Sequence, residues 1–132
     1  MNRAVVLGIA ALVGLLGLAG LRAWQRRSRG PERVDLRSFA LELLPTPFAF
    51  VVFTSESCAP CKSALTVVRR VADTTAAAEV VPIDSTKQAA LTASLGIRSL
   101  PTVFLITASG RVVRRWTTVP PSDEIEELLH VA

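Results

Sequence analysis

The N-terminal part of the chain carries one long apolar run, which begins at Ala4 and ends at Leu21. Its 18 residues read AVVLGIAALVGLLGLAGL and include no charge. As an α-helix the run would span about 27 Å, close to the thickness of the hydrocarbon core of a bilayer. It is long for the apolar core of a cleaved signal peptide, and its exit, Leu-Ala-Gly-Leu-Arg-Ala-Trp, fits a small-x-small cleavage site poorly. We therefore predict a transmembrane anchor over residues 1–22 that contacts membrane lipid through residues 4–21.

Beyond the anchor, apolar residues at helical spacing alternate with short apolar runs that are typical of strands. The predicted helices are four: one that Asp35 caps and that the prolines at 45 and 47 end, one from Cys61 to about Ala72, one from Asp84 or Ser85 to Leu95, and one that starts at Ser122. Strands are predicted at 48–54, 79–83, 102–107 and 112–117, and the last two form a hairpin.

The strand at 48–54 is apolar with little alternation, so we expect it to be central and buried on both faces. Pro82 indicates that the next strand lies at an edge of the sheet or ends early. The order of elements predicts an α/β domain over residues 34–132, with a four-stranded mixed sheet and helices on both faces.

The net charge of +4 is concentrated before this domain. Residues 1–33 hold six Arg and one Glu, whereas the remainder holds nine Lys and Arg against ten Asp and Glu. No basic face is predicted in the domain, and nucleic-acid binding is therefore excluded. Because five of the six Arg follow the apolar run in the basic linker 23–33 and at its border, we expect a single-pass protein of the cell membrane with a cytoplasmic domain; the opposite topology stays open.

The two cysteines of the chain, Cys58 and Cys61, are three positions apart between the predicted central strand and a helix. At a helix N-terminus, free backbone N–H groups and the helix dipole favour a thiolate. A thiolate attacks disulfides, and a second thiol nearby can release the product. The pair is therefore predicted to be a redox dithiol or to bind a soft metal.

Three segments together resemble the thioredoxin family over roughly residues 35–130: Ser57-Cys-Ala-Pro-Cys-Lys62, Val81-Pro-Ile-Asp84 and Gly96-Ile-Arg-Ser-Leu-Pro-Thr102. The resemblance implies the thioredoxin fold and no cofactor. It implies that Cys58 attacks a target disulfide and that Cys61 resolves the mixed disulfide. Pro60 would stiffen the first turn of the helix. Leu100 and Pro101 would form the wall on the substrate side, with Pro101 in the cis form.

The chain departs from the family pattern near the dithiol. Ser57 replaces a tryptophan that is common before the first cysteine, while Val52 and Val80 replace a buried acid and its neighbouring lysine. In the family, that acid helps to move the proton of the resolving thiol. The stretch Arg33-Val34 also leaves little room for the family's first strand.

From these features we expect a membrane-tethered thiol–disulfide oxidoreductase that reduces protein disulfides. Its partners would be a disulfide-containing protein and a reductant such as a thioredoxin reductase or a membrane redox protein. Two alternatives stay open: a copper- or zinc-binding module, and an extracytoplasmic disulfide oxidase or reductase on the same fold.

Overall fold

The computed structural model describes residues 2–28 and 30–131 and divides the chain into two units, residues 1–30 and 31–132. The first unit contains the helix α1 (Arg3–Ser28). Its segment Arg3–Arg26 contains an 18-residue window with a mean hydropathy of 2.5, and the segment is long and apolar enough to cross a membrane by length and composition alone. Because α1 continues to Ser28, part of the segment predicted as a linker is helical; Arg29 lies outside the described residues.

The first helical element of the second unit is a 3-10 helix (Leu36–Phe39). Four strands follow, β1 (Phe48–Thr54), β2 (Ala78–Asp84), β3 (Thr102–Thr107) and β4 (Val112–Trp116), and three α-helices, α2 (Ala59–Thr75), α3 (Ala89–Ser94) and α4 (Ser122–Val131). The strands form one sheet in the order β2-β1-β3-β4. β1 pairs with β2 in parallel and with β3 antiparallel, and β4 pairs antiparallel with β3. The chain thus has a mixed sheet of the predicted kind, with β1 inside it and Pro82 on an edge strand.

The alternation of side chains along β1 divides the core into two clusters. Phe48, Phe50 and Val52 face α2 and α4 in one hydrophobic cluster. Ala49, Val51 and Phe53 face the other side, where residues of the 3-10 helix and of α3 contribute to the second cluster. Helical segments therefore cover both faces of the sheet, as predicted.

The helix predicted after Asp35 is one 3-10 turn. The carboxylate of Asp35 does accept a hydrogen bond from the Arg37 N–H, at 3.0 Å. The turn ends at Ala40, which has a left-handed φ of 57°, and Leu43 is 86% exposed instead of packed inward. A helix of this length has marginal stability because its few backbone hydrogen bonds do not offset the entropy lost on nucleation. The prolines at 45 and 47 prevent it from extending toward the C-terminus.

The third predicted helix is also shorter than expected, since α3 starts only at Ala89. The carboxylate of Asp84 accepts hydrogen bonds from the N–H groups of Thr86 and Lys87, at 2.9 and 3.3 Å. These bonds stabilise a turn at 85–88 in place of the first turn of the helix. Asp84 therefore caps a turn and not α3.

The place of a first strand is taken by a single antiparallel bridge between Arg33 and Arg111. The N–H of Val34 donates to the Gly110 carbonyl and the N–H of Val112 donates to the Glu32 carbonyl, both at 2.9 Å. This segment extends the sheet beyond β4, as the short stretch before the first helix allows.

Candidate functional site

The dithiol lies where β1 ends and α2 begins. Cys58 has extended backbone angles and is the N-cap of α2, and Pro60 is in the first turn of the helix. The Sγ of Cys58 accepts a hydrogen bond from the backbone N–H of Cys61, at 3.3 Å. The two cysteines form a disulfide, with Cα atoms 5.3 Å apart. Their position at the end of a central strand is the position at which open α/β sheets bind their ligands.

The two sulfurs differ in their access to solvent. Cys61 is fully buried, whereas Cys58 is partly exposed and Ala59 and Pro60 are exposed beside it. A substrate disulfide can therefore approach the sulfur of Cys58, but it cannot approach that of Cys61. This asymmetry matches the chemistry of an attacking and a resolving thiol.

The segment that contains Pro101 reaches the same end of the sheet. In the register of β1 and β3, Phe53 lies opposite Thr102. The residues that follow β1 and those that precede β3 therefore lie at the same end of the sheet. The peptide bond between Leu100 and Pro101 is cis. Leu100 is partly buried and Pro101 is buried. The structure therefore brings all five predicted site residues to the end of the sheet at which β1 finishes.

The core behind the dithiol is apolar where the family has an acid and a lysine. Val52 is fully buried and lies between Pro82 and Val103 in the sheet. Val80 packs against the same cluster, to which the α2 residues Ala64 and Val68 also belong. Any proton that the Cys61 thiol exchanges must therefore come from water or from groups at the mouth of the site.

A polar groove lies beside the dithiol, lined by Ser55, Glu56, Ser57, Asp84, Thr86 and Lys87. The pKa of Asp84 lies below its usual value, chiefly because the backbone N–H and the side chain of Thr86 donate hydrogen bonds to the carboxylate. The sequence did not single out Thr86 or Lys87, since their part in the site depends on the turn after β2.

Within residues 2–28 and 30–131, no group of three or more His, Cys, Asp or Glu side chains is placed to hold a metal ion.

Comparison with solved structures finds the same fold in several thioredoxins. A point-mutant thioredoxin from Halobacterium salinarum is 28% identical, with a TM-score of 0.57 over 65% of this chain and 74% of that one. Chloroplastic thioredoxin z is 24% identical, with a TM-score of 0.59 over 66% and 79% of the two chains. Thioredoxin-2 of the malaria parasite is 17% identical, with a TM-score of 0.60 over 67% and 86%. No curated protein sequence matches this chain.

The dithiol at the start of α2, on this fold, supports a thiol–disulfide oxidoreductase in the general sense. The family comparison agrees, because the match to the thioredoxin-like domain covers residues 46–132, about two thirds of the sequence, and includes both cysteines and Pro101. The chain belongs to the thioredoxin-like domain family.

Proposed function

We propose that the protein is a membrane-tethered thiol–disulfide oxidoreductase that reduces disulfides in proteins close to the membrane. The observation that carries the proposal is the pair of unequal sulfurs: Cys58 is partly exposed at the N-cap of α2, and Cys61 is buried one turn later. The N–H of Cys61 points at the Cys58 sulfur, and the same hydrogen bond would stabilise a thiolate there.

Reduction of a substrate proceeds in two exchanges. The Cys58 thiolate attacks one sulfur of the substrate disulfide, so that a mixed disulfide forms and the other substrate sulfur leaves as a thiolate. The Cys61 thiol loses its proton and attacks Cys58, which closes the Cys58–Cys61 disulfide and releases the second substrate thiolate. Two electrons pass to the substrate, whose thiolates take up two protons. A reductant, such as a thioredoxin reductase or a membrane redox protein, then returns the protein to the dithiol form.

The substrate would bind along Pro60, Leu100 and Pro101. Pro101 has no N–H, and the cis bond joins it to Leu100 at the end of the sheet that carries the dithiol. An extended substrate segment that pairs with the backbone of Leu100 would add to the fold as a strand does. Such pairing uses main-chain groups, so it accepts many sequences around the target cysteine.

The reducing direction is supported by Leu100, since an apolar residue before this proline resembles the reducing members of the family. Its test is the reduction potential of the full chain in detergent, equilibrated against glutathione buffers. A value of roughly −270 mV supports a reductase, whereas a value above about −180 mV supports an oxidase or isomerase. Stoichiometric binding of zinc or copper(I), without formation of the disulfide, would instead support the metal-binding alternative.

Activity is tested by reduction of a protein disulfide such as that of insulin, with a chemical reductant as electron donor. The wild-type chain should turn over, and Cys58→Ser should be inactive because the attacking thiolate is missing. Ser57→Ala is the matched control, since it alters the neighbouring side chain and leaves both sulfurs in place. Full activity of Cys58→Ser would refute the proposal.

The proposed topology is an anchor over residues 1–22, the basic linker 23–33 and a cytoplasmic domain over 34–132. The apolar helix α1 and the Arg residues that follow the apolar run support it. To test it, Glu32→Cys is introduced into a chain with both native cysteines changed to serine. An impermeant thiol reagent should label this cysteine only after the cells are permeabilised. Labelling of intact cells would favour the extracytoplasmic alternative.

A further inference from the structure

One charged side chain links the outer strand of the sheet to the segment that leads to Pro101. Arg115 of β4 donates a hydrogen bond from Nη2 to the Gly96 carbonyl, at 3.3 Å. Its guanidinium also lies over the ring of Phe104, 5.3 Å from the ring centroid. Phe104 is the residue that pairs with Arg115 across the two strands, and it is fully buried. The side chain is therefore fixed by a stacking contact at the sheet and by a hydrogen bond at the loop.

The loop from Gly96 to Pro101 is held at its two ends. Gly96 has a φ of +67°, and Ile97 is buried in the same cluster as Phe104. The hydroxyl of Thr102 donates to the Ser99 carbonyl, at 2.7 Å. Arg98 and Ser99 are exposed between these points. At the start of the loop, the N–H groups of Gly96 and Ile97 donate to carbonyls of α3, at 3.0 and 3.2 Å. Arg115 adds the one side-chain hydrogen bond described at this end, and the bond from Thr102 holds the other end.

Arg115 is a costly residue for a role in packing alone. Its Nε is buried without a hydrogen-bond partner among the described residues. Burial also lowers the pKa of Arg115, although a guanidinium remains charged at neutral pH. An apolar side chain would cover Phe104 without leaving a polar atom unsatisfied. The polar contact with the Gly96 carbonyl is what an apolar residue would not supply.

We propose that Arg115 is a positioning residue for substrate binding, which holds the loop 96–101 so that the backbone of Leu100 can pair with an extended protein substrate. This role rests on the proposed function. It predicts a selective defect, because a small aromatic disulfide needs only the Cys58 sulfur, whereas a protein disulfide also needs the loop. Loss of the contact should therefore affect protein substrates and leave the chemistry of the dithiol unchanged.

The test compares Arg115→Met with Arg114→Met in the full chain in detergent. Arg114 is the matched control, since it lies next to Arg115 on β4 but makes an exposed ion pair with Glu124, at 2.9 Å. For Arg115→Met we expect KM for insulin reduction to rise on the order of tenfold, with kcat little changed. The rate with 5,5′-dithiobis(2-nitrobenzoate) and the reduction potential should remain those of the wild type. Arg114→Met should match the wild type in all of these measurements.

Each other outcome overturns the inference. Equal losses with both disulfides would show a general structural defect, and an unchanged KM would show that the contact does not position substrate. If Arg115→Met fails to fold, Arg115→Lys takes its place; it keeps the charge but lacks the planar group that stacks on Phe104. A lysine variant that also fails to fold assigns Arg115 to stability alone. If the wild-type chain reduces neither disulfide, the proposed function itself is wrong, an outcome that differs from a selective defect.

Discussion

Replacement of Val52 by aspartate should convert an apolar interior into one that responds to pH. Val52 is fully buried in the cluster that α2 and α4 cover. Thr102 is the one buried polar or charged residue among those that the structure describes, so an introduced carboxyl group would find no buried cation to stabilise its charge. Val52→Asp therefore buries an isolated acid, and its pKa in the folded state should rise.

Two terms set the size of the effect. Loss of the buried valine side chain lowers the free energy of unfolding by about 1.5–3 kcal/mol at every pH. A rise of about 3 pKa units adds about 4 kcal/mol, since each unit corresponds to about 1.36 kcal/mol. The second term has a definite sign: the unfolded state loses its proton near pH ~4, while the folded state retains it until about pH 7. The variant is therefore most stable below about pH 4 and loses about 4 kcal/mol between about pH 4 and pH 8.

The assay is urea unfolding of the full chain in detergent at several pH values, followed by the fluorescence of Trp116. Val52→Asn is the control, because asparagine has nearly the shape of aspartate and also removes the valine, but does not titrate. The difference between the two variants should grow with pH in the range from about 4 to 8. Parallel curves would refute the idea that the interior beside Val52 is dry and without a partner for the acid. A further consequence concerns catalysis: an acid restored at this position should speed the release of product from the mixed disulfide at neutral pH.

Other predictions follow from single contacts. Gly110 has a φ of +81°, and a Cβ added there would collide with a backbone carbonyl. Gly110→Ala should therefore lower the free energy of unfolding by more than the roughly 1–2 kcal/mol that a left-handed backbone alone costs a residue with a side chain. Gly96→Ala, with a φ of +67° and open space around the added Cβ in the described structure, should cost only that backbone term; equal losses in urea unfolding would contradict the close approach. Cys61→Ser should accumulate a mixed disulfide with insulin on a non-reducing gel, whereas accumulation in Cys58→Ser instead would reverse the two roles. Asp84→Ala should be less stable than the wild type above about pH 4 and equal to it in stronger acid, because the stabilisation from a lowered carboxyl pKa is lost as the pH falls through it; a difference independent of pH would contradict this.

The parts of the fold that the sequence predicted well depend on burial. β1 is apolar on both faces, and in an α/β domain such a strand is expected in the interior of the sheet, where helices cover both faces. Pro82 indicated an edge strand because proline has no N–H, and a missing donor is tolerated where it faces away from a neighbouring strand. The site followed from the same logic, since a dithiol between a buried strand and an amphipathic helix must lie at the end of the sheet.

The parts that it predicted poorly depend on competition between local hydrogen bonds. The sequence predicts a helix that Asp84 or Ser85 caps, but the carboxylate of Asp84 accepts hydrogen bonds from two nearby N–H groups, and the helix begins only at Ala89. Leu43 follows helical spacing, but the helix stops before reaching it. Arg115 carries no local signal at all: its contact with Gly96 joins residues 19 positions apart and appears only once β4 lies beside β3.

The position of Pro82 on the edge strand has a consequence for the proposed membrane anchor. Molecules anchored in a bilayer meet one another in two dimensions, where their effective concentration is high and their orientations are similar. β2 is an end strand of the sheet, and an unbroken edge would offer neighbouring copies a template for continuous pairing. Pro82 lies within that strand and is exposed, so it removes one donor from the edge and interrupts the template. The same residue that marks the edge in the sequence thereby opposes edge-to-edge association in a crowded population of this protein.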